Sequence, residues 1–129
     1  MYRLTVAVDL DGVLAQYHSF KGPSFIEPPM DGAKEFLERL AADYDIIVYT
    51  ARDYFLTKQW LEQWDLYQYI KDVNFCPLNG KTGKPVAVAY VDDRGVRFRG
   101  DFAQAIAEVH ELAGPSKEKD TGKKGGEDA

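Results

Sequence analysis

Two apolar runs, each ending in a cluster of acids, constrain this chain more than any other feature. Residues 4–8 lead into Asp9 and Asp11, and VAVAYV, 86–91, leads into Asp92 and Asp93. Short β-branched runs of this kind, apolar on both faces, read as buried strands of a parallel sheet. IIVY within 45–49 and VNFC, 73–76, read as two further strands. Helical periodicity fills the gaps between them. Ala33, Phe36, Leu37, Leu40 and Ala41 form one stripe, with Asp31 as its expected cap. Leu56, Trp60, Leu61 and Trp64 form a second. Phe102, Ala105, Ile106 and Val109 form a third, expected to face inward and opened by the Asp101–Gln104 capping pair. Residues 15–30 hold three prolines and read as a loop or irregular hairpin, residues 79–85 read as a turn, and 97–99 read as a short edge strand.

Strands alternating with helices predict an α/β fold: a three-layer, Rossmann-like arrangement around a mostly parallel central sheet. At 129 residues the chain has the length of one domain. We assign 1–113 to it. The tail, 114–129, holds almost nothing apolar and is expected to be disordered. Its lysines (117, 119, 123, 124) cancel its acids (118, 120, 127, 128), so the folded part carries the net charge of −5. That balance argues against nucleic acid as a partner. The single cysteine, Cys76, excludes a disulfide within the chain. No apolar run has membrane-spanning length and no signal peptide is evident, so a cytoplasmic setting without membrane contact is expected.

In parallel sheets, sites gather beyond the carboxyl ends of the strands. Asp9, Thr50, Asp92 and Asp93 each follow the end of a predicted strand, so all should meet at one edge. Carboxylates crowded there repel one another, and a hard divalent cation relieves the repulsion. Mg²⁺, which favours a few carboxylate and carbonyl oxygens, is the expected cofactor. Mg²⁺ on oxygen ligands most often handles phosphate. Asp9, at the end of a rigid strand, is then the natural nucleophile, and Asp11 can protonate the leaving oxygen and activate a water. Gly12 lets the chain turn beside the ligand. Thr50 offers a hydroxyl and an N–H. Lys84, favoured over Lys81 because it directly precedes Pro85 and the strand, supplies positive charge to the phosphoryl oxygens.

DLDGVL, YTAR, KP and YVDDR, in this order, resemble the four motifs of the haloacid dehalogenase superfamily. The resemblance spans residues 4 to about 113. It implies a Mg²⁺-dependent phosphomonoester hydrolase with a phospho-aspartate on Asp9, and Asp11 as acid and then base. It also implies substrate contacts from Gly12, Thr50, Ala51, Arg52 and Lys84. The metal would be held by Asp9, the backbone carbonyl of Asp11, and an acid of the last motif. Aligned with the commoner form of that motif, Asp93 is the direct ligand and Asp92 a supporting one. Members usually carry a cap domain, but neither 12–31 nor 50–84 leaves room for one. A capless member suits a small phosphorylated substrate, with a homo-oligomer covering the open site. Phosphatases of nucleic-acid ends or of proteins on the same fold are the alternative, as is a phospho-accepting receiver domain. In a receiver, however, the phosphorylated aspartate ends the third strand, where this chain has Cys76 and Pro77. Arg52 either touches substrate or pairs with Asp53 or another acid, and Arg94 is open in the same way. His18 is expected to face solvent, and His110 and Cys76 to be structural.

Overall fold

The structure, a computed structural model, describes residues 3–76 and 81–114. The expectations for Pro77 and for the tail beyond Gly114 lie outside the described residues. The chain divides into two compact units, Met1–Asp93 and Arg94–Ala129.

The first unit is built on β1 (Thr5–Asp9), α1 (Ala33–Ala41), β2 (Asp45–Tyr49), α2 (Tyr54–Gln63), β3 (Asp72–Val73), the short strands β4 (Phe75–Cys76) and β5 (Lys81–Thr82), and β6 (Ala89–Val91). Four strands form an all-parallel sheet in the order β3-β2-β1-β6. This is a small Rossmann-like α/β arrangement, as the alternating pattern predicts. β1 lies between two parallel neighbours and is buried on both faces, which is why it is apolar at every position from Val6 to Val8. Val6, Val8, Ile46 and Val48 pack with Leu37 of α1 and Trp60 and Leu61 of α2 in one core, so both helices cover the same sheet face. Right-handed crossovers that progress in one direction, β1 to β2 to β3, require that placement. The chain then reverses and sets β6 on the other side of β1. The carboxyl ends of β1 and β6 flank this reversal point, the usual ligand position in such sheets.

Several local expectations are corrected. Leu4 precedes β1 and is exposed. VNFC is not one strand. Asn74 adopts a left-handed φ of 56°, so β3 stops at Val73 and β4 turns away to pair antiparallel with β5. Of VAVAYV only Ala89–Val91 joins the sheet. β1 starts at Thr5, so Val86 and Ala87 lie past the end of their neighbour; Val88 reaches only the Thr5 carbonyl. Asp31 does not cap α1: Gly32 takes the cap position with φ 86°, without a side-chain bond. Phe36 and Trp64 stay partly exposed, while Trp60 is buried.

Residues 10–32 form a folded loop, not a domain. Met30 N donates to Leu14 O and Gln16 N to Pro28 O, and these bonds draw its two limbs together.

In the second unit, Asp101 accepts from Gln104 N and opens α3 (Phe102–Ala113), as expected from the capping pair. No strand forms at 97–99. Instead the Phe98 and Phe102 rings meet at 4.8 Å and Arg99 pairs with Glu108. Contrary to expectation, Phe102, Ile106 and Val109 remain exposed. His110 is exposed as well. No helix among the described residues is long and apolar enough to cross a membrane.

Candidate functional site

The segment 9–15 forms the centre of the site. Leu10, Leu14 and Ala15 are fully buried, and burial of a leucine contributes about 1.5–3 kcal/mol. The Leu10 carbonyl accepts from the N–H groups of Val13, Leu14 and Ala15, which curls the chain into a tight turn. The apolar residues of DLDGVLA thus anchor the turn while Asp9 and Asp11 stay partly accessible.

Asp9, Asp92 and Asp93 each bring a carboxylate oxygen within 4.8 Å of the others. Gly12, with φ 84°, lies directly against Asp93: a Cβ built on it would sit 2.2 Å from Asp93 Oδ2. Only glycine permits both this backbone and this approach. Asp9 is pushed up to about 6, first by burial and then by the charges of Asp92, Asp93 and Asp11. The Leu10 N–H, at 2.8 Å from Oδ1, acts in the opposite direction. A half-buried acid crowded by like charges fits a divalent cation with oxygen ligands.

Asp11 and Arg52 form a second group. Arg52 Nε donates to Asp11 Oδ2 at 2.7 Å, and its Nη1 reaches the carbonyls of Pro23 at 2.9 Å and Gly22 at 3.5 Å. Arg52 therefore pairs with Asp11, and Asp53 instead caps α2 by accepting from Leu56 N. Asp11 Oδ1 is buried and has no hydrogen-bond partner among the described residues. Thr50 Oγ1 accepts from Arg52 N, while Thr50 N donates to Asn74 Oδ1. Asn74 Nδ2 donates to the Arg52 carbonyl. Ala51 is exposed beside them.

Lys84 lies against Tyr90. Its ammonium lies 4.8 Å from the centre of the Tyr90 ring, a cation–π position. Tyr90 meets Tyr49 edge-on at 6.2 Å, and the Tyr49 hydroxyl donates to Asp92 Oδ2. Burial, followed by Asp92, raises the Tyr49 phenol above its ordinary range, so it remains a donor. Lys84 thus connects to the acids through two aromatic rings.

Three residues of this network escape sequence reasoning. Asn74 carries a signal only in hindsight, as an Asn able to adopt left-handed φ at a strand end. Tyr49 reads as an ordinary strand residue. Glu27, between Ile26 and two prolines, reads as loop, yet it organises the loop facing Arg52. It accepts from His18 N at 2.8 Å, bonds His18 Nδ1 at 2.6 Å and Lys21 Nζ at 3.4 Å, and its carbonyl accepts from Trp60 Nε1. The His18 side chain remains largely exposed.

No family model matches the chain, and no curated protein matches it by sequence. Its fold is similar to that of a solved conserved protein from Bacteroides thetaiotaomicron, with a TM-score of 0.55 and 22% identity over 93% of this chain and 99% of that one.

Proposed function

We propose that the chain is a capless, haloacid dehalogenase-type phosphatase that hydrolyses a small phosphomonoester in a Mg²⁺-dependent reaction. The observation that carries this reading is the convergence of Asp9, Asp92 and Asp93 within 4.8 Å at the carboxyl ends of β1 and β6. Gly12, shaped to admit Asp93, supports it. Asp9, Asp93 and the Asp11 carbonyl would hold the cation, with Asp92, tied to Tyr49, as the supporting acid. When bound, Mg²⁺ would neutralise the acids and the phosphoryl oxygens.

The chain's own groups carry the proton and bond changes. An Asp9 oxygen attacks phosphorus, and the bond to the leaving oxygen breaks with its electron pair. That oxygen takes the proton of the Asp11 carboxyl. In the second step the Asp11 carboxylate accepts a proton from water, and the water oxygen bonds to phosphorus. The Asp9–phosphorus bond breaks, releasing phosphate and restoring the carboxylate. The Thr50 hydroxyl contributes to phosphate binding, and Lys84 contributes positive charge.

A panel of phosphoesters, with and without Mg²⁺, tests the assignment. Turnover of at least one ester is expected with Mg²⁺ and not with EDTA, and Asp9→Asn should abolish it while the protein stays folded. Full activity in Asp9→Asn refutes the nucleophile. A phosphoprotein that persists for hours would instead favour a receiver-like signalling role.

A further inference from the structure

Tyr49 makes a hydrogen bond that phosphoryl transfer itself does not use. It is the last residue of β2 and stands in register with Asp9 of β1. Val91 of β6 stands in register with Val8, so Asp92 follows at the level of Asp9. Tyr49, Asp9 and Asp92 thus form a row across the carboxyl ends of three neighbouring strands, which in a sheet lie about 4.8 Å apart. The Tyr49 hydroxyl reaches past β1 along this row and donates to Asp92 Oδ2. The tyrosine is itself held in place. The Tyr90 ring meets it edge-on at 6.2 Å, and the Tyr90 hydroxyl donates to the Pro85 carbonyl at 2.6 Å. Tyr49 is partly buried and belongs to the sheet, whereas Asp92 is exposed and follows a strand end. The donor is therefore the anchored partner, and the acid is the one it restrains.

We propose that Tyr49 is a positioning residue that sets the cation preference of the acidic cluster: by holding Asp92 it keeps that carboxylate out of the direct ligand shell and favours Mg²⁺ over Ca²⁺. The proposal rests on the reading of Asp9, Asp92 and Asp93 as a cation site. Mg²⁺ demands a near-octahedral shell at about 2.0–2.1 Å and keeps several waters, whereas Ca²⁺ accepts about 6–8 oxygens at about 2.3–2.6 Å in a looser shell. A cluster with one carboxylate tied back offers few protein oxygens in a fixed geometry, which suits Mg²⁺. Once released, Asp92 is close enough to join Asp9 and Asp93, since oxygens of the three already lie within 4.8 Å of one another. A third, mobile carboxylate suits Ca²⁺. Tyr49→Phe separates these states cleanly, because it keeps the ring and its contact with Tyr90 and removes only the hydroxyl.

Calorimetric titration of the metal-free full chain with Mg²⁺ and, separately, with Ca²⁺ tests the proposal without turnover. Loss of a hydrogen bond that orients a metal-site group costs about 10–100-fold in affinity. Tyr49→Phe should therefore weaken Mg²⁺ binding by about tenfold or more, while Ca²⁺ binding stays within about threefold of wild type. Asp92→Ala removes the acid that Tyr49 restrains, so adding Tyr49→Phe to it should change neither affinity by more than about twofold. Equal losses for the two cations in Tyr49→Phe, no loss for either, or a further loss on top of Asp92→Ala overturns the proposal. So does a wild-type chain that binds Ca²⁺ more tightly than Mg²⁺.

Should Tyr49→Phe misfold, Tyr90→Leu removes the ring that braces Tyr49 and should narrow the Mg²⁺ preference in the same direction. A preference unchanged in that variant contradicts the proposal. A wild-type chain that binds neither cation sinks the metal-dependent phosphatase reading and this proposal with it. A chain that binds Mg²⁺ with a preference indifferent to the Tyr49 hydroxyl sinks this proposal alone.

Discussion

At the residue scale, Gly12 and Asp9 are the positions where a small change has the clearest consequence. Gly12→Ala places a methyl 2.2 Å from Asp93 Oδ2 on a backbone with φ 84°. The expected cost is about 1–2 kcal/mol of stability, read by thermal melting, together with about 10–100-fold weaker Mg²⁺ binding, read by calorimetry. Asp9 makes an opposite pair of predictions with and without cation. Its carboxyl is pushed up to about 6 from an ordinary value near 3.8. Between those values the folded state holds more protons than the unfolded state, so without metal stability falls as pH rises across the window. In EDTA the melting temperature should therefore drop between pH 4 and 6, and Asp9→Asn should remove that contribution. With saturating Mg²⁺ the charged form is the one favoured, so the drop should disappear. A melting profile that Asp9→Asn leaves unchanged contradicts the crowded-carboxylate account. The convergence of Asp9, Gly12 and the last acidic pair was legible in the sequence because strand ends and a forced glycine leave local signals. The partners of Arg52 were not legible: pairing with Asp11 or with Asp53 depends on where a loop brings a residue 41 positions away.

At the element scale, the loop 17–27 depends on Glu27. This buried side chain is held at about 2, first by the His18 backbone N–H and then by the His18 ring and Lys21. An acid depressed in the folded state stabilises above its unfolded value near 4.5, and that contribution is lost as pH falls toward 2. Glu27→Gln should remove this part of the acid sensitivity, and tryptophan emission should report the change, because Trp60 Nε1 bonds the Glu27 carbonyl. An acid transition identical to wild type counts against Glu27 as the anchor. Element boundaries were the least legible part of the fold. VNFC and VAVAYV look alike as apolar runs, but one is broken by the left-handed Asn74 and the other is shortened by the start of β1. Strand length is decided by the neighbour, which no local pattern contains.

At the scale of the whole molecule, the order of strands and helices was readable because each apolar run is short and each intervening segment has helical period. The parallel pairing follows from that alternation, while the order β3-β2-β1-β6 comes from the structure. It brings Asp9 and the Asp92–Asp93 pair, far apart in sequence, to one sheet edge. The position of Lys84 over Tyr90 was not readable, since it depends on how the chain approaches β6. The central claim is that this cluster turns Asp9 into a phosphoryl acceptor. Its most direct test is an acid quench of the wild-type protein during turnover of a phosphoester with Mg²⁺, followed by mapping of the phosphorylated peptide. The account predicts an acyl phosphate on Asp9, absent in EDTA and in Asp9→Asn. Phosphate bound to another residue, or rapid turnover with no phosphorylated Asp9 under any quench, would contradict it.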